Sequence, residues 1–259
     1  MAKFEHKVPA LQPGTFKKEI AQCLLGIALD EQNIRFHDHT DGIVMGCGLV
    51  EEGMKVGLVG GIVKYAGRLY KLTERVFVPY AHTDEWAVLK LRFSPLVQHP
   101  EYIHYTAELV LDAKVDIMPN EMELGRFKLK KGSRLRTVYK DFWDMVTEFD
   151  TVNLVHVNQA ARHQPTFSPA ITMHFAREAF SYLGNNCLDA AFCTACLSSG
   201  EAMGRELITQ YVCNRLGQRY KEMNNTQLHG ALGKILDLII GRAHDDSGKG
   251  HQHEVLVIN

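Results

Sequence analysis

Apolar positions recur with a period near two over much of the first half of the chain and with helical spacing over the last third. Between Ile34 and Val157, short apolar runs are divided by turn residues. The candidate strands are Ile34–His37, Gly42–Cys47, Met54–Val59, Ile62–Tyr65, Arg68–Leu72, Arg75–Pro79, Trp86–Phe93, Ile103–Leu111, Met122–Lys130 and Thr151–Val157. In Trp86–Phe93 the alternation is strict, with Val88, Lys90 and Arg92 on one face and Leu89, Leu91 and Phe93 on the other. Ile62–Tyr65 and Arg68–Leu72 read as a hairpin, with Gly67 supplying the turn position that needs a positive φ. Strands this short, with turns every ~8–12 residues, predict an antiparallel β-sandwich-like domain or an open barrel and not a parallel α/β sheet. A helical piece near Tyr139–Met145 interrupts before the last strand.

The flanking segments carry a different rhythm. Phe16, Ile20, Cys23, Leu24, Ile27 and Ala28 predict an opening helix over Gly14–Asn33, with Thr15 as its cap. After the polar stretch Asn158–Pro165, Ser168-Pro169 is a cap followed by proline at the first helical position, and this helix runs to Leu183. Further helices fit Leu188–Leu197, Glu201–Leu216 and a stretch from Asn224 or Asn225 to Gly241. Short loops between them predict an antiparallel helical bundle. Arg242–Gly250 then reads as a flexible linker, and Val255–Ile258 as a terminal strand. The expected fold class is therefore α+β, an antiparallel β-sandwich-like domain followed by a helical bundle. Its divisions are 1–33 (arm and helix), 34–160 (β-domain), 161–242 (bundle) and 243–259 (linker and strand).

Composition narrows the function classes. The 259 residues are 46% hydrophobic and 23% charged, which excludes disordered, collagenous and rod-like chains. Lys and Arg (29) nearly cancel Asp and Glu (30), so no long-range field gathers nucleic acid or an anionic membrane. No apolar run approaches the ~18 residues of a membrane helix, and Met1–Val8 carries no signal-peptide pattern. A cytoplasmic protein without a membrane span is expected. Six dilute cysteines read as small buried hydrophobes.

Four stretches carry candidate chemistry. In His37-Asp38-His39-Thr40-Asp41-Gly42, two histidines one residue apart on an extended chain point to one side, and Asp41 continues that face. This is the start of a metal site, but Gly42 stands where the longer H-x-H-x-D-H pattern places its last histidine. Asp41-Gly42 also fits a simple turn. Cys193-x-x-Cys196 lies inside an apolar helix, not at a helix start, and reads as packing. Lys128, Lys130, Lys131, Arg134 and Arg136 form the basic cluster, interleaved with Phe127, Leu129 and Leu135 as on the solvated face of a strand. Gly241 to Gly248-Lys249 has the wrong spacing for a phosphate loop, and Gly250 replaces its hydroxyl residue. Glu51-Glu52 and Glu121/Glu123 read as solvated.

The order of Val50-Glu51-Glu52-Gly53, the hairpin Val63-Lys64-Tyr65-Ala66-Gly67-Arg68-Leu69-Tyr70-Lys71-Leu72 and the strand Trp86–Phe93 resembles the N-terminal β-domains of baseplate and tail-fibre-adaptor proteins from phages and contractile injection systems. The succession of β-domain, proline-containing joint and helical bundle is similar to the shell and middle domains of the type VI secretion baseplate subunit TssK. A counterpart of that subunit's receptor-like C-terminal domain is missing, so no membrane docking is implied. Phe36-His37-Asp38-His39-Thr40-Asp41-Gly42-Ile43-Val44 and Gly125–Gly132 also resemble motifs of prophage-linked proteins of gut Firmicutes.

The resemblance implies a non-enzymatic structural subunit, a homo-oligomer (trimer or dimer) assembled in the cytoplasm with other tail or baseplate proteins. Catalytic residues, cofactor, metal and nucleic acid are all expected to be absent. In the fourth helix Leu228, Leu232, Ile235, Leu236 and Ile239 make an apolar stripe that Leu238 and Ile240 widen beyond one partner face. Those five, with Val255 and Val257 of the terminal strand, are the candidate oligomer-interface residues. The chain's own first helix and own β-domain are the competing partners for the two elements. A rival reading is a metal-dependent hydrolase using His37, His39 and Asp41; another is a nucleic-acid adaptor using Lys128–Arg136.

Overall fold

The computed structural model describes residues 4–9, 32, 34–81, 84–98, 100, 102–199 and 202–248. Most of the opening helix expected at Gly14–Asn33, and the terminal strand with Val255 and Val257, lie outside the described residues. The fold is α+β, with the strands concentrated in the first half and the helices in the second.

Eleven strands form two antiparallel sheets among the described residues. They are β1 (Phe4–Pro9), β2 (Gly42–Gly46), β3 (Leu49–Glu51), β4 (Lys55–Leu58), β5 (Gly61–Tyr65), β6 (Arg68–Leu72), β7 (Val76–Pro79), β8 (Ala87–Phe93), β9 (Val97–Gln98), β10 (Tyr102–Asp112) and β11 (Glu121–Phe127). The large sheet runs β11-β8-β10-β1-β6-β5-β2, with β9 beside β10, and the small one runs β3-β4-β7. Val56, Leu58 and Val76 of the small sheet share one apolar core with Val63, Leu89, Leu91, Leu109 and Leu124 of the large. Alternation explains this: Leu89, Leu91 and Phe93 all turn inward from β8. At the β5–β6 turn, Ala66 and Gly67 both take positive φ (47° and 73°), as a two-residue hairpin loop of the right twist requires.

Three sequence expectations change. Ile34–Phe36 is helical, not extended. Thr151–Val157 is no strand; it makes only isolated bridges, Thr151 to Arg136 and Asn153 to Arg126. Phe4–Pro9, expected as part of an arm, is a central strand of the large sheet, paired with β10 from Phe4↔Ala107 to Pro9↔Tyr102 and with β6 at Glu5↔Lys71.

Four helices follow: α1 (Pro169–Phe180), α2 (Cys187–Ser199), α3 (Arg205–Arg215) and α4 (Asn225–Gly248). The Ser168 hydroxyl accepts the Ala170 N–H (3.3 Å) with Pro169 at the first helical position, so the cap legible in the sequence forms. Helix α4 runs through the stretch expected as a linker, to Gly248. No helix among the described residues is long and apolar enough to cross a membrane.

The second core belongs to the helices, but the division at residue 160 is not where the packing divides. Phe142, Met145 and Val155 lie in the helical core with Phe175, Leu228 and Leu232. Residues Trp143–Val146 form a 3-10 turn whose Asp144 anchors it, accepting two hydrogen bonds from Arg136 (2.8 and 2.7 Å). Arg136 also reaches Thr151 (2.6 Å), tying the turn back to the β-domain. Arg205 closes the other side of the joint. It donates to the Pro165 carbonyl (2.5 Å), the Met223 carbonyl (2.8 Å) and the Asn225 side chain, while Asn225 donates to the Val157 carbonyl (3.3 Å).

Candidate functional site

The histidine stretch is organised by a lysine. Lys64, on β5 and buried, donates from Nζ to three backbone carbonyls, those of Phe36 (2.6 Å), His37 (3.0 Å) and His39 (2.6 Å). A cation there satisfies carbonyls at the end of the Ile34–Phe36 helical turn, where negative partial charge collects. The three candidate ligand side chains each have a separate partner. His37 is exposed and bonded to Asp38 (2.6 Å), which holds the Asp38 carboxyl below its usual range; the His39 ring meets Phe36 edge-on at 5.3 Å; and Asp41 accepts the Ala66 N–H (3.0 Å). Among the described residues, no group of three or more His, Cys, Asp or Glu is placed to hold a metal ion. The geometry gives the hydrolase reading no assembled ligand set.

The basic run is likewise dispersed. Lys128 pairs with Glu148 and stands over the Trp86 ring at 5.0 Å, Lys130 stands over Phe149 at 4.5 Å, Arg134 bonds Glu51 (2.9 Å) and Arg136 bonds Asp144. Among the described residues only Lys131 of the five has no such partner, so the run offers little continuous positive surface. Cys193 and Cys196 are buried in α2, and desolvation pushes both thiols up to about 12, the chemistry of packing residues.

The acidic pair Glu121/Glu123, expected in solvent, is buried. Glu121 receives Lys90 (3.1 Å) and Arg92 (2.8 Å), and Lys90, only 1% exposed, also donates to the Asp116 carbonyl (2.7 Å). Glu123 is clamped by Arg126 (2.7 and 2.5 Å). Glu51, on β3, accepts from Tyr80 (2.9 Å) as well as Arg134. These are ties between neighbouring segments of the chain.

The oligomer stripe is corrected. Leu228, Leu232, Ile235, Leu236 and Ile239 are at most 4% exposed and lie in the chain's own helical core, with α1, α3 and the 3-10 turn against α4. Of the widening residues, Leu238 is exposed and Ile240 is partly buried. The amphipathic face was legible; its partner is intramolecular.

On that face His229 is 3% exposed, its ring stacked on Phe142 (4.2 Å) and edge-on to Trp143 (5.8 Å), with Nε2 unpartnered among the described residues. Burial lowers its pKa to about 4 from 6.5. Because the folded value is depressed, unfolded chains bind the proton first as the pH falls. Stability is therefore intact above pH 6.5 and declines toward pH 4, by up to about 3 kcal/mol from this group. Urea denaturation across that window is expected to show the decline in the native chain and less of it in His229→Phe.

A cleft of about 950 Å³ opens where the β-domain meets the helices. Its β wall is the edge strand β2 with Gly48 and Leu49, and its other wall comes from Thr137–Tyr139 and the start of α1. Met45 (50% exposed) and Val138 (78%) stand in it as apolar side chains in contact with water. Arg35 and Arg162 also line it, and no described lining residue is a carboxylate. Burial and the Arg177 charge lower the pKa of His174, another lining residue, favouring its neutral form.

The chain matches no family model, no curated protein and no solved structure.

Sequence reasoning missed this cleft. Arg35 sat in a segment read as a strand, Arg162 in the joint, and Val138 next to the expected helical piece, so no spacing rule connected them. No local signal marked them, since the 78% exposure of Val138 is a property of the fold and not of its sequence neighbours.

Proposed function

We propose that this protein is a non-catalytic subunit of a larger assembly, acting through protein–protein contacts. The supporting observation is a contrast in how side chains are used. Polar groups with chemical potential (Lys64, Lys90, Glu121, Asp144, Asp189 and Arg205) are spent on ties within the chain. Large apolar groups on both halves (Ile34, Met45, Val138, Phe180 and Leu207) stand in solvent instead. Two of them, Met45 and Val138, share one cleft, and apolar side chains that share a surface mark a site for a partner to cover. The order of β-domain, joint and helices agrees with the tail or baseplate setting that the sequence resembles, with self-association and neighbouring tail proteins as the partners.

The test is a pair of surface charges. Val138→Asp and Leu207→Asp are expected to lower the molar mass of the assembly in light scattering while changing folding stability by no more than about 0.5 kcal/mol, as surface changes do. An assembly of unchanged mass in both variants would contradict the reading.

A further inference from the structure

The cleft beside β2 has features that select a particular kind of partner. β2 is the terminal strand of the large sheet, bonded on one side to β5. Its other edge is occupied at Ile43, whose N–H donates to the Asn158 carbonyl (3.1 Å) and whose carbonyl accepts from Ala160 N–H (2.8 Å). Beyond Ile43, no described backbone group pairs with that edge at Val44–Gly46, and this is the stretch that lines the cleft. An open strand edge is a template for another extended chain. The lining beside it is apolar at Met45, Leu49, Val138 and Leu154, and its formal charges among the described residues are the arginines Arg35 and Arg162. Asp38, whose carboxyl feels the Arg162 charge, is itself bonded to His37.

We infer that the cleft receives an extended, acidic and apolar segment of a partner protein, added as a strand to β2 at Val44–Gly46. Backbone hydrogen bonds supply the register, and alternate apolar side chains enter the cleft by Met45 and Leu154. Carboxylates on the segment meet Arg35 and Arg162. A small anion fills neither the strand edge nor the apolar wall, and a basic segment is repelled by the two arginines. The inference rests on the reading of the protein as a contact-forming subunit and adds the chemistry of one contact.

The probes are three short fluorescent peptides added to the full chain: alternating Glu-Val, alternating Lys-Val, and Glu-Val N-methylated on alternate residues so that one edge has no N–H donors. Anisotropy is expected to show saturable binding of Glu-Val, with Lys-Val weaker by about tenfold or more. The N-methylated peptide is expected not to bind, and R35E/R162E to reverse the charge preference. R35Q and R162Q, milder changes, are each expected to weaken Glu-Val binding in a chain whose circular dichroism is unaltered. Absence of Glu-Val binding, equal binding of all three peptides, or indifference to the arginine substitutions would overturn the inference. Light scattering on the same samples separates the two levels: an assembled chain that ignores the peptides sinks only this contact, and a monomeric one sinks the subunit reading.

Discussion

Replacing Asp189 with alanine is expected to be among the most damaging single changes to the helical half. Asp189, in the first turn of α2, is 2% exposed and receives Arg215 Nε at 2.8 and 3.0 Å and the Tyr211 hydroxyl at 3.0 Å. These bonds cross from α2 to α3 beside the stacked rings of Phe192 and Tyr211, 3.7 Å apart. Asp189→Ala leaves a guanidinium with no counter-charge in an apolar core, which costs about 3–5 kcal/mol. Asp189→Leu combined with Arg215→Met removes both charges and is expected to recover much of that loss. Urea denaturation of the single and double variants measures the coupling. A single variant within 1 kcal/mol of the native chain, roughly the median effect of any substitution, would show that the pair contributes little.

The second large effect is expected at Gly42. Here the joint segment runs alongside β2 in a parallel bridge, and the glycine takes φ 151°, a region that side chains rarely adopt. A Cβ built there would sit 2.6 Å from Ala160 N and 2.8 Å from Asn158 O. These are the atoms that bond Ile43, so the side chain cannot be accommodated without parting the two strips of backbone. Gly42→Ala is expected to destabilise by about 2–4 kcal/mol through strain and displacement together. Since the same strip forms one end of the cleft, Glu-Val peptide binding should weaken in the fraction that remains folded. An unchanged urea midpoint would contradict the close approach.

Much of the fold was legible because strand alternation and helix caps are local. The β5–β6 hairpin, the inward side of β8 and the Ser168-Pro169 start of α1 each follow from a few neighbouring residues. The errors have a common cause, which is that the deciding partner lies far away in sequence. Ile34-Arg35-Phe36 alternates like a strand, but Lys64 collects the carbonyls at its end and the segment is helical. Thr151–Val157 has the composition of a strand, yet β11 bends at the irregularity between Glu123 and Gly125 and meets it only at Asn153. Phe4–Pro9 falls in the expected arm, yet it pairs on both sides with strands far along the chain. The stripe from Leu228 to Ile239 was read correctly as apolar, but periodicity carries no information on whose surface covers it.

Site residues were less legible than the fold. The histidine pair attracted attention because its spacing fits a ligand motif, and spacing says nothing about where Lys64 will pull the backbone. The cleft residues Arg35, Met45, Val138 and Arg162 come from four separate segments that only the fold brings together.

Sedimentation velocity of the purified, unmodified chain over a wide concentration range is the most direct test of the central claim. The account expects a discrete oligomer whose sedimentation coefficient is constant as the protein is diluted. A single species at the monomer mass of 29.2 kDa, persisting to the highest concentration, would contradict it.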